Sequence, residues 1–166
     1  MIKKPLPNYS WINCDSSNIV PESSFFCVVV IVSWIILGVF LTVCNEFIEI
    51  QKLIPILLKH KRSEDEIVIL YDQKNGDEGV EEYLRSHSVN SEFIWHGAEF
   101  NNHFADWKNK LTSLCSGDYI FQIDADEIPN ENLIILLPSI LEENPHNEVY
   151  LVPRVNTVEG LTNEHI

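Results

Sequence analysis

The run Gly117-Asp118-Tyr119-Ile120-Phe121-Gln122-Ile123-Asp124-Ala125-Asp126-Glu127 sets three carboxylates directly after a near-continuous apolar strand. Gly117 before it and Pro129 after it bound the strand and its exit. Asp124 and Asp126 reach one ion together only if the backbone turns out of the strand between them. Carboxylate oxygens are hard ligands suited to Mg²⁺ or Mn²⁺, ions that keep waters and complete their shell with substrate phosphates. The pattern points to a metal-assisted diphosphate site, with a solvated turn as the plain alternative.

Other uses of the same carboxylates fit less well. A calcium-binding EF-hand loop starting at Asp124 needs glycine at its sixth position and glutamate at its twelfth, where Pro129 and Ile135 stand. Phosphotransfer enzymes with an aspartate nucleophile also place Asp-x-Asp after an apolar strand. Their motif continues to Thr or Val where this chain has Ile128. Asp124 as a nucleophile is therefore a runner-up.

The elements that must position these residues alternate between strand and helix patterns. Ile35 to Val43 reads as a buried strand and Glu46 to Leu58 as a helix with Phe47, Ile50, Leu53, Ile54, Leu57 and Leu58 on one face. Pro55 removes a backbone donor and is expected to kink that helix. Ile67 to Leu70 is a second strand, and Asp77 to Arg85 a short helix with Val80, Tyr83 and Leu84 inward. Glu92 to His96 is a third strand, followed by a polar loop from Gly97 to Asn102. Phe104, Trp107, Leu111, Leu114 and Cys115 recur at helical spacing, with Gly117 as the C-terminal stop. After the carboxylates, Asn130 caps a helix with Leu133, Leu136, Leu137, Ile140 and Leu141 toward the sheet, and Glu148 to Pro153 is a last strand. This order predicts an α/β fold with a mostly parallel sheet flanked by helices, whose ligands bind at the carboxyl ends of the strands.

Composition narrows the partners. The 166 residues suit one domain. A net charge of −14, from 11 Lys and Arg against 25 Asp and Glu, argues against a nucleic-acid partner and makes a metal more necessary for an anionic substrate. Cys14, Cys27, Cys44 and Cys115 have neither zinc-site spacing nor the density of a disulfide framework.

Taken in order, Thr42-Val43-Cys44-Asn45-Glu46, Ile67-Val68-Ile69-Leu70-Tyr71-Asp72, Phe104-Ala105-Asp106-Trp107-Lys108-Asn109-Lys110, Gly117-Asp118-Tyr119-Ile120 and Asp124-Ala125-Asp126-Glu127 resemble the GT-A glycosyltransferases of the large family 2 group. The resemblance runs from about Trp34 to Pro153. It implies a GT-A, Rossmann-like sheet that is cut short at the C-terminus. The implied reaction is transfer of a sugar, with inversion, from a nucleoside diphosphate sugar, foremost a UDP-sugar, to a hydroxyl of a carbohydrate or lipid-linked acceptor. Mn²⁺ or Mg²⁺ is the implied cofactor. Asp126 takes the role of direct metal ligand, Asp124 contacts the ribose or the ion, and Asp72 contacts the base or ribose. Thr42, Cys44, Asn45, Glu46, Asn109 and Ala125 join the nucleotide-sugar contacts. Asn109 matches the asparagine of the family's Arg-Asn pair. Lys108 replaces the arginine, with phosphate contact and a solvated surface role both open. Glu127 is a group behind the ion or simply solvated. The family's general base and much of its acceptor site lie beyond the strand ending near Pro153, where only Arg154 to Ile166 remain, with Glu159 and Glu164. The chain is thus expected to be a nucleotide-binding half, truncated or completed by another polypeptide and inactive in transfer by itself.

One segment supports two incompatible structures. Phe25 to Cys44 carries no charge, and as a helix rising about 1.5 Å per residue it would span roughly 30 Å, enough to cross a bilayer. Its Val and Ile content suits a buried strand equally, and a membrane helix would remove the first strand from the sheet. The strand is preferred for Ile35 to Val43. The span supports the alternative of a membrane-tethered, noncatalytic interaction protein. Lys52, Lys59, Lys61 and Arg62 would then put the C-terminal side in the cytoplasm, and the expected localisation is cytoplasmic, with membrane association under that alternative. Residues 1–32 are read as an extension, poorly ordered or part of the segment 25–44, and residues 33–166 as the GT-A domain.

Overall fold

The computed structural model describes residues 2–3, 35–89 and 93–155. Apolar runs ended by Asp or a Cys-Asn turn form strands β2 (Leu37–Val43), β3 (Glu66–Asp72) and β5 (Tyr119–Asp124), and the more exposed Ile94–Ala98 forms β4. With β1 (Ile2–Lys3) they make one sheet in the order β1-β5-β2-β3-β4. β2 through β5 are parallel, and β1 pairs antiparallel with β5 at Tyr119 and Ile120. The expected α/β class with a mostly parallel sheet is the observed one. Leu37–Val43 lies at the centre of that sheet, so this part of the candidate membrane segment is a strand. Among the described residues no helix is long and apolar enough to cross a membrane. The rest of the N-terminal extension, the start of the 25–44 segment, Cys14, Cys27, Glu92, Glu159 and Glu164 lie outside the described residues.

Strand alternation sorts the core into two layers. Odd-numbered residues of β2, β3 and β5, such as Leu41, Ile69 and Ile123, pack under α1 (Phe47–His60), α2 (Glu78–Ser88) and α4 (Glu131–Glu143). Even-numbered Phe40, Val68, Leu70 and Ile120 pack under α3 (Phe104–Leu114) through Trp107, Leu111 and Cys115. A buried ionic knot fixes the opposite, amino end of the sheet. Asp65, 5% exposed, accepts from the Leu37 amide at 3.0 Å and from the Arg62 guanidinium at 2.8 Å.

Several local expectations are corrected. α1 runs unbroken through Pro55, whose ring is on the exposed side together with Gln51, so the carbonyl left without its amide donor faces solvent. In α3, Phe104 is 72% exposed and only Trp107 and Leu111 are buried. The buried face of α4 is Ile134, Leu137, Pro138 and Leu141, leaving Leu136 and Ile140 exposed. The third strand includes Gly97 and Ala98, because it follows the parallel register of Tyr71 and Asp72. Glu148 to Pro153 does not form a strand. Only Val149 makes a bridge, and the segment runs on extended with Leu151 fully exposed.

Gly117 does not stop α3, which ends at Leu114 with an extended Cys115. Instead Gly117 packs on Gly38, where a Cβ would stand 2.6 Å from the Gly38 amide nitrogen and 3.0 Å from the Ile36 carbonyl oxygen. Both obstacles are backbone, so Gly117→Ala is expected to destabilise the fold by about 2 kcal/mol and lower Tm by about 4–8 °C. An unchanged melting curve would contradict that packing.

Candidate nucleotide site

The parallel register brings chemistry-bearing residues to one edge. Thr42 is level with Leu70 on one side and Asp124 on the other, and Asp72 is level with Ala98. All are even-numbered, so Thr42, Asp72 and Asp124 share the face covered by α3. This is the carboxyl edge of a parallel sheet, where α/β folds hold their ligands.

Asp72 anchors one half of the crevice. Its Oδ1 accepts from the amides of Lys74 at 3.0 Å, Phe100 at 3.2 Å and Asn75 at 3.4 Å, and its Oδ2 accepts from Asn75 Nδ2 at 2.7 Å. The side chain is nearly buried. Burial alone would push the carboxyl up, but donation from the Asn75 side chain and the Phe100, Lys74 and Asn75 amides outweighs it and holds the group below the ordinary carboxylate value. Two loops, one after β3 and one after β4, are thereby tied to a single anion. Asn75 and Phe100 were not anticipated from sequence. The turn composition of Asp72-Gln73-Lys74-Asn75-Gly76 is the signal that could have found Asn75, since Asp side chains accept from amides two residues on.

Lys108 occupies the other half. It reaches from α3 to hydrogen bond and ion pair with Asp124 Oδ1, and its Nζ lies 3.3 Å from Thr42 Oγ1. Thr42 Oγ1 in turn lies 3.4 Å from Asp124 Oδ1, closing a triangle. The ammonium also sits 5.9 Å from the Phe40 ring centroid, close enough for a cation–π contact. Lys108 is thus held between strand ends. Asn109, next on the helix, is exposed, and its side chain has no hydrogen-bond partner among the described residues.

After β5 the backbone leaves the strand in a turn. The Glu127 amide donates to the Asp124 carbonyl at 2.9 Å, and Glu127 Oε2 accepts from the Asp124 amide at 3.3 Å. Glu127 Oε1 accepts from Arg154 at 2.7 Å. The Ala125 methyl points into the core, which leaves only its backbone for a ligand. Asp126 is exposed on the turn, and no side-chain partner for it occurs among the described residues. A groove of ≈ 1190 Å³ opens beside it, between the start of α4 and the extended segment, lined by Asp126, Glu127, Asn130, Tyr150 and Arg154.

Glu46 and its neighbours shape the loop after β2. The Glu46 carboxylate accepts from the Cys44 and Asn45 amides at 2.7 and 3.1 Å, and the Cys44 carbonyl accepts from the Asp77 amide. Asn45 is exposed. Burial, then the charges of Asp72 and Glu46, raise the Cys44 thiol above its ordinary value, so it is protonated and a poor nucleophile at neutral pH.

Whether a divalent ion suits these residues follows from the donor set. Among the described residues no three His, Cys, Asp or Glu side chains form a cage for a metal. Mg²⁺ bound with nucleotides uses one or two carboxylates and completes its shell with phosphate oxygens, and Asp126 and, second, Asp124 are the carboxylates that would hold it here.

No family model matches the chain, and no curated protein matches its sequence. Solved structures do. Crystal structures of S. aureus TarS 1-349, a GT-A glycosyltransferase, match with a TM-score of 0.58 and 16% identity over 66% of this chain, whether alone, in complex with UDP or in complex with UDP-GlcNAc. The likeness shows the fold: the sheet and its helices are those of GT-A. The chain spans about a third of the length of those structures, 33% of the first.

Proposed function

We propose that this chain forms the donor site of a glycosyltransferase and binds a nucleoside diphosphate sugar, foremost a UDP-sugar, at the carboxyl edge of its sheet. The observation that carries the reading is the convergence, on one face of a GT-A sheet, of Asp72 with the Lys108–Thr42–Asp124 triangle, followed two residues on by an exposed Asp126. The UDP and UDP-GlcNAc complexes of the similar TarS fold support the same ligand class.

Asp72 Oδ2 accepts one described donor and keeps acceptor capacity for an N–H of the base or a hydroxyl of the ribose. The loops it pins, from Gln73 to Gly76 and through Phe100, form the walls around the base. Lys108 brings a positive charge to the side where the diphosphate would lie, in a chain short of cations. Asp126, with Asp124 second, would hold a Mn²⁺ or Mg²⁺ ion, which when bound supplies Lewis-acid stabilisation of charge developing on the leaving diphosphate. The groove beside Asp126 opens on the α4 side of the turn, away from Lys108, and would take the acceptor hydroxyl of a carbohydrate or lipid-linked molecule.

Hydrogen exchange tests the location. With UDP-GlcNAc and Mn²⁺ present, amides of the loops at 73–76, 99–101 and 125–128 are expected to slow, while the amino-end knot around Asp65 is unaffected. Protection at any other surface, or none at millimolar ligand, would overturn the assignment.

A further inference from the structure

Three carboxylates lie within the span Asp124 to Glu127, yet two are already neutralised by cations from distant parts of the chain. Lys108 holds Asp124, from α3, and Arg154 holds Glu127, from beyond α4. Only Asp126 is exposed and uncommitted among the described residues. The Lys108 ammonium is itself fixed on three sides, by Asp124, by Thr42 Oγ1 and by the Phe40 ring. Its side chain is 23% exposed, so it is not a loose surface cation. A divalent ion arriving alone would meet one free carboxylate and two like charges close by.

We propose that Lys108 and Arg154 are internal counter-ions that prevent the carboxylate turn from capturing a divalent cation by itself, so that metal and nucleotide diphosphate must bind together. The diphosphate does two things that the turn cannot. It supplies the oxygens missing from the metal shell, and it offers Lys108 a second anionic partner, loosening the hold on Asp124. Metal and nucleotide then raise each other's affinity by the same factor, as linkage requires, and couplings of this kind run to about 5–150-fold. Lys108 thereby acts as a positioning residue that couples the two ligands. This deepens the proposed donor site and depends on that reading only for its nucleotide arm.

Two arms of one experiment separate the claims. In the first, Mn²⁺ alone is titrated into the full chain, and free aquo-Mn²⁺ is followed by electron paramagnetic resonance. The wild-type chain is expected to bind weakly, whereas Lys108→Met, which removes the counter-ion of Asp124, binds Mn²⁺ at least about tenfold more tightly, and Arg154→Met, which removes a largely exposed ion pair from Glu127, binds it more tightly by a smaller factor. Lys108→Arg, which keeps the counter-ion, is expected to match the wild type. Circular dichroism checks that each variant is folded, and Arg154→Met carries the test if Lys108→Met is not. Tight wild-type binding of Mn²⁺ alone, or no gain in any folded charge-removing variant, overturns the proposal. In the second arm the titration is repeated with UDP, which is expected to tighten Mn²⁺ binding to the wild type by about 5–150-fold and to Lys108→Met by less. UDP that binds with no effect on Mn²⁺ overturns the coupling. UDP that does not bind at all overturns the donor-site reading and the coupled-binding claim, while the metal-only arm still decides whether the counter-ions mask the turn.

Discussion

Asp126→Ala is expected to weaken metal-dependent binding of a nucleoside diphosphate sugar by about a hundredfold, while Tm moves by no more than about 2 °C. The two halves of this expectation have separate origins. Asp126 is exposed and has no side-chain partner among the described residues, and such surface substitutions usually change stability by less than about 0.5 kcal/mol. A hundredfold loss is about 2.7 kcal/mol, a modest share of the several kcal/mol that a correctly held divalent ion contributes to a charged phosphoryl group. Binding with Mn²⁺ and with chelator, read by calorimetry, checks it. Equal affinities in wild type and variant would remove Asp126 from the metal site.

Asp72→Ala is expected to act on fold and ligand together. It leaves the amides of Lys74, Asn75 and Phe100 and the Asn75 side chain without their acceptor. Unsatisfied buried groups cost about 1–3 kcal/mol each, and the loops admit water to some of them, so a total of about 3 kcal/mol is expected, with Tm lower by about 6–12 °C. Nucleotide affinity falls as the walls around the base loosen. The same carboxylate gives a pH signature. Its native pKa is lowered, so its contribution is fully present above the ordinary carboxylate value of about 3.9 and is lost as pH falls through the lower native value. Urea unfolding of wild type and Asp72→Asn should therefore differ most near neutrality and converge toward pH 2. A constant gap across that range would contradict the assignment of the shift to Asp72.

What the sequence revealed depended on whether the determining contact was local. β2, β3 and β5 were legible because Val- and Ile-rich runs end at Asp or Cys-Asn turns, and the Asn130 cap because its side chain acts two residues away, on the Asn132 amide. The α4 face was not legible. Leu133 to Leu137 is apolar at every position, so periodicity does not say which side turns inward, and packing beside α1 selected Ile134 over Leu136. Gly117 was read as a helix stop because its true partner, Gly38, is adjacent only once β2 and β5 pair. The site divides the same way. Asp124, Asp126 and Asp72 were visible as carboxylates ending apolar strands. That Lys108 and Arg154 each bind one carboxylate of the turn follows from register and from the path of the chain after α4, which no local pattern reports.

The central claim is a donor site built on Asp72, Lys108 and Asp126, and titration of UDP into the full chain with saturating Mn²⁺ tests it most directly. The account predicts a one-site, saturable heat that collapses when the ion is chelated. No saturable heat up to millimolar UDP, or one unchanged by the chelator, would contradict it.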